Sequence, residues 1–104
     1  VYSIRYTINP PNKVFSVNEL EELFFEKLSS NLTNSENSKI ELLRMSDGAL
    51  TVEYNHYPIG KIKLQGRKHW IQVLKGTYTT RTFEGDLELL ISHIEEWVRY
   101  LRKL

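Results

Sequence analysis

The side chains in this chain that are able to do chemistry are three histidines, thirteen carboxylates and fourteen cations, with no cysteine among them. Without thiols there is no disulfide framework, no cysteine-based zinc site and no thiolate nucleophile. His56, His69 and His93 fall in three separate segments, and no two are spaced as ligands of one metal ion. Glu95 and Glu96 are neighbours on a helical stretch, where adjacent side chains diverge by about 100°. They read as a solvated pair, not a catalytic dyad. Gly60, Gly66 and Gly76 stand alone rather than in a phosphate-cradling loop. No serine or threonine occupies a nucleophile-elbow pattern. A hydrolytic site built from Glu53, His56 or His69 is the weakest of the chemical readings. The expectation is a protein that is not an enzyme and uses neither metal nor cofactor.

What remains is charge. From Tyr54 to Phe83 there is no carboxylate, while Lys61, Lys63, Arg67, Lys68, Lys75 and Arg81 give that stretch +6. The whole chain carries +1, so the remainder carries −5, much of it in Glu19, Glu21, Glu22 and Glu26. Charge segregated in this way predicts one basic surface and one acidic surface.

The elements that must position these groups follow from periodicity. At 104 residues, 40% hydrophobic and 12% aromatic, residues 1–104 are expected to form a single domain around one core. No apolar run approaches the roughly 20 residues that span a bilayer, so no membrane partner is expected. The start has no signal-peptide pattern, and Val1 is not an initiator methionine, which leaves room for residues before it.

Val1–Ile8 alternates with period two and predicts a half-buried strand, ended by Asn9-Pro10-Pro11-Asn12. Ser16 with Glu19 matches a capping box, flanked by Phe15 and Leu20 as a staple. The helix so begun runs to about Ser30, with Leu20, Leu23, Phe24 and Leu28 as its apolar stripe. Asn31–Ser38 reads as a polar loop. Strands are predicted at Lys39–Met45, Ala49–Asn55, Ile59–Gln65 and His69–Lys75, separated by Asp47-Gly48, His56-Tyr57-Pro58 and Gly66-Arg67-Lys68. Thr77–Phe83 fits either a short edge strand or an extended loop. A last helix, capped by Asp86, carries Leu87, Leu90, Ile91, Ile94, Val98 and Leu101 at helical spacing. The order β-α-β-β-β-β-α predicts an α+β fold. Its antiparallel sheet has four to five strands, with two amphipathic helices packed on one face.

Within the hairpin Ile59–Lys75, Ile62, Leu64, Ile71 and Val73 are expected to face the helices. Lys61, Lys63 and Gln65, with Trp70, Gln72 and Leu74, then emerge on the uncovered side, and Arg67 and Lys68 cap the tip. Phosphates attract lysine and arginine, an exposed indole stacks on bases, and glutamine reaches base edges. Lys61, Lys63, Arg67, Lys68, Trp70, Gln72 and Lys75 are therefore the candidate nucleic-acid-binding residues. An alternative is a protein-interaction or self-assembly module, because the acidic and basic surfaces of two copies are complementary.

Tyr57-Pro58-Ile59-Gly60-Lys61-Ile62-Lys63-Leu64-Gln65-Gly66-Arg67-Lys68 is followed by a tryptophan-bearing strand and by the helix Ile91–Leu104 with Trp97 and Tyr100. This second half of the chain resembles small uncharacterised proteins carried by phages and mobile elements of Gram-positive bacteria. The resemblance implies a cytoplasmic bacterial or phage setting and transfers no binding or catalytic residue.

Overall fold

The alternating segments pair into a six-stranded sheet in a computed structural model that describes residues 2–9, 11–76 and 79–104. The strands are β1 (Ile4–Tyr6), β2 (Ile40–Arg44), β3 (Leu50–Tyr54), β4 (Tyr57–Lys63), β5 (Trp70–Leu74) and β6 (Thr80–Glu84), and they lie side by side in chain order. From β2 to β6 every pairing is antiparallel. β1 is parallel to β2, because the chain between them crosses back through helix α1 (Glu19–Ser30) and the single turn α2 (Asn34–Asn37). The fold is thus α+β as expected, but the sheet is mixed and has six strands rather than four or five antiparallel ones. Two of the differences in order arise before the C-terminal helix. Thr80–Glu84 completes a ladder on the edge of β5; Thr77 and Tyr78 lie outside the described residues. The segment read as a polar loop contains a capping box, in which Thr33 Oγ1 accepts from the Glu36 amide at 3.1 Å and Glu36 Oε1 from the Thr33 amide at 2.9 Å.

The C-terminal helix is capped by Asp86 as its sequence predicts, with Oδ1 accepting from the Leu89 amide at 3.0 Å. It breaks at His93 into α3 (Leu87–Ser92) and α4 (Ile94–Leu101). At the other end, α1 is capped by Asn18 and not by Ser16. Asn18 Oδ1 accepts from the Glu21 amide at 2.8 Å, and Glu21 Oε1 accepts from the Asn18 amide at 3.2 Å. Asn18 prevails because its Nδ2 also donates to the Leu64 carbonyl at 2.9 Å, which ties the cap to the sheet. The buried stripe turns with it: Phe25 is in the core, and Leu23 is 45% exposed. The turn between β3 and β4 is Asn55-His56, both at positive φ (51° and 70°), the backbone of a tight two-residue hairpin. Tyr57 and Pro58 therefore belong to β4 rather than breaking the sheet. Pro58 sits opposite Glu53 at a register shift, where a missing N–H is tolerated.

Helices α1, α3 and α4 contribute to one core on one face of the sheet. Leu42, Val52, Ile62, Ile71 and Val73 from the strands meet Phe24, Leu28, Leu90, Ile94 and Trp97 in one buried cluster. Two devices hold the layers together. The first is ionic. Arg44 and Glu21 have side chains 0% and 1% exposed. Arg44 Nη1 donates to Glu21 Oε2 at 2.6 Å and Nη2 to Oε1 at 3.2 Å. Nη1 also donates to the Gly48 carbonyl at 2.9 Å, and Gln65 Nε2 donates to Glu21 Oε1 at 3.0 Å. The second is a close approach. The Trp97 indole lies over Gly60 and donates from Nε1 to the Gln72 carbonyl at 3.0 Å. A Cβ on Gly60 would stand 2.3 Å from Trp97 Nε1 and 2.5 Å from the Gln72 carbonyl oxygen.

Both devices predict stability effects. Arg44→Met leaves a buried carboxylate without its counter-charge and should cost about 3–5 kcal/mol in urea unfolding. Adding Glu21→Gln should recover part of that loss, so the two substitutions are not additive. Gly60→Ala should cost about 1–3 kcal/mol by overpacking against the indole, read as a lowered Tm.

Candidate functional site

The face of the sheet turned away from the helices is read directly from the register. One row crosses all six strands: Arg5, Leu43, Thr51, Lys61, Gln72 and Thr82. Beside it run Lys63, Trp70 and Glu84, and on the far side Glu41 and Glu53. Alternation puts Ile62 and Ile71, paired with each other, on the buried face, so Lys61, Lys63, Trp70 and Gln72 must share the other. All four are partly exposed. Lys63 lies directly across from Trp70, and Lys61 across from Gln72, at the roughly 5 Å Cβ separation of cross-strand pairs.

The remaining candidates are placed differently. Arg67 and Lys68 are exposed in the loop between β4 and β5, the end of the same hairpin. His69 lies in that loop with Nε2 2.9 Å from the Gly66 carbonyl oxygen. Lys75 is not with the others: its Nζ donates to Glu96 Oε2 on α4 at 2.7 Å. Gln65, expected on the outer face, turns the other way. Its Nε2 donates to the Ser16 carbonyl at 2.9 Å and to Glu21, because the strand ends at Lys63 and alternation stops with it.

Ion pairing decides which cations are free to meet a ligand. Arg5 bridges to Glu41 and lies 4.0 Å from Glu53, which accounts for the two carboxylates on the outer face of β2 and β3. Arg102 donates to Glu36 from Nε at 3.0 Å and Nη2 at 3.1 Å. Those bonds, aided by the Thr33 amide, pull the Glu36 carboxyl down to about 2. Burial pushes the Glu96 carboxyl up, but the hydrogen bonds from Lys75 and His93 outweigh it and hold Glu96 below its usual range. The His93 ring, 2.7 Å from Glu96, stacks on Phe83 with centroids 3.9 Å apart. It is a packed boundary side chain. Lys61, Lys63, Arg67 and Lys68, by contrast, make no ion pair with any described residue.

A cleft of about 540 Å³ adjoins this surface at the end of the sheet. Lys63 lines it together with Lys13, Phe15, Ser16, Asp47 and Gln65. Lys13 Nζ lies 4.7 Å from the centre of the Phe15 ring. Lys13 was not among the candidates, since it sits far upstream in the chain beside two prolines; only the return of the chain into α1 brings it next to Lys63. Among the described residues no three histidine or acidic side chains are grouped as a metal site, and no helix is long and apolar enough to cross a membrane. Set against known families, curated proteins and solved structures, the chain has no match.

The Glu36 clasp yields a direct measurement. Its carboxyl is depressed in the folded protein, so the contact stabilises the fold above the ordinary value of 4.5 and is lost as pH falls towards about 2. Arg102→Met should raise the Glu36 titration, followed by side-chain carboxyl NMR, towards the ordinary value, with the Thr33 hydrogen bonds still holding it partly down.

Proposed function

We propose that this protein is a small binding domain, without catalytic activity, that takes nucleic acid on the uncovered face of its sheet. The supporting observation is the pairing of Lys63 with Trp70 and of Lys61 with Gln72 on adjacent strands. It sets unpaired cations, an indole and an amide side by side. Long lysine stems lie along the sheet and present their ammonium groups to phosphate. Arg67 and Lys68 extend the positive surface at the hairpin end, and Lys13 extends it around the cleft. Lys75 stands apart from this set, held by Glu96. The cytoplasmic bacterial or phage setting suggested by the second half of the chain is part of the same proposal.

A protein-interaction role is the second reading, favoured by one feature. Among the described residues β6 pairs with β5 on one side only, and four of its five residues, Thr80, Arg81, Thr82 and Glu84, are exposed. Its free edge offers main-chain hydrogen bonds to a partner strand or a second copy.

A filter-binding titration at two salt concentrations separates the readings. Nucleic-acid binding should weaken steeply with salt. Lys61→Glu with Lys63→Glu should reduce the log–log salt slope by about 1.4–1.8, from two lost phosphate contacts, and lower affinity strongly. Binding that ignores salt, or no binding in low salt, sinks the proposal. A concentration-dependent dimer that survives the same charge reversal favours the edge-strand reading.

A further inference from the structure

Resting on the nucleic-acid reading, we infer that the ligand is unpaired: a single strand whose bases stack on Trp70, rather than a duplex. Width is the first ground. A two-stranded ribbon can enter a major groove about 12 Å wide. Here β4 and β5 are not a free ribbon, since β3 flanks one and β6 the other in a six-stranded sheet. Six strands spaced by roughly 4.8 Å span about 24 Å, twice the groove. Lys61, Lys63, Trp70 and Gln72 all lie on the strands themselves. A duplex laid on the sheet would meet them only with its sugar–phosphate edges, and its bases would be hidden in their own stack.

The indole is the second ground. Trp70 is partly exposed and stands between Lys63 on one neighbouring strand and Glu84 on the other. A single strand uses this arrangement fully, because an unpaired base offers its ring face to the indole while its phosphate reaches Lys63. Glu84 favours that register over one that slides the backbone towards β6, since its carboxylate repels phosphate on that side. Unpaired DNA and unpaired RNA present the same stacking face and the same phosphates, so the inference covers both.

The protein has two tryptophans, and Trp97 is 0% exposed, so quenching of emission by a ligand reports on Trp70. Titrations at low salt with a thymine homopolymer, a uracil homopolymer and a mixed-sequence duplex of equal length are the test. The expected result is quenching by one or both single strands, with the duplex bound weaker by about tenfold or more. The two homopolymers identify the sugar preferred. Trp70→Ala should lower single-strand affinity by about tenfold, with Trp97 emission confirming an intact core. A duplex bound as tightly as the single strands overturns this inference and leaves the nucleic-acid reading standing. So does single-strand affinity unmoved by Trp70→Ala. Absence of binding by all three ligands removes the reading and the inference together.

Discussion

A carboxylate and a guanidinium sealed in the interior govern how this molecule is assembled. Glu21 lies in the first turn of α1, and Arg44 ends β2. Neither can be buried alone, because the solvation lost by an unpaired charge exceeds what packing returns. They must therefore meet, and their meeting fixes where α1 starts over the sheet. The same carboxylate closes the Asn18 cap and accepts from Gln65, while the guanidinium reaches the Gly48 carbonyl. One pair thus gathers the start of a helix, the turn between β2 and β3 and the loop after β4.

With α1 held there, the chain preceding it can only return along β2, so β1 lies parallel at the sheet edge. The other helices close the same side. Trp97 can approach the sheet closely because Gly60 has no side chain beneath it, and Phe24 meets the indole edge-on with centroids 5.5 Å apart. Leu42, Leu50, Val52, Ile62, Ile71 and Val73 are all buried on that side. Strand alternation then leaves Lys61, Lys63, Trp70 and Gln72 no other place than the opposite face. The candidate site is in this sense the complement of the core.

Charge follows the same division. Several cations are committed to structure: Arg44 inside, Arg5 across β2 and β3, Lys75 to α4, Arg102 to α2. The cations of β4 and of the loop after it are not. Of the acidic residues of α1 outside the buried pair, Glu19 and Glu22 sit in its first turn, where the helix dipole favours them. The molecule therefore has cations with structural duties, and on β4 and the loop after it cations that pair with no described carboxylate.

Much of this was legible in the residues. The alternation of Ile62 with Lys61 and Lys63, and of Ile71 and Val73 with Trp70 and Gln72, set the faces of both strands, because period two leaves no choice once one face is apolar. Asp47-Gly48 and Asp86 announced a turn and a cap through local hydrogen bonding. Where local signals competed, tertiary contacts decided. Ser16 was the cap that the residues suggested, but Asn18 took that place through Leu64, far away in the chain. Lys75 looked like one more cation until α4 brought Glu96 to it, and Lys13 gained its place only when the chain folded back beside Lys63. The parallel setting of β1 left no local mark at all. Short-range chemistry determines which way a side chain points on its own strand. Which distant group it meets there depends on loop closure and burial of the whole chain, and these are settled only when the layers pack.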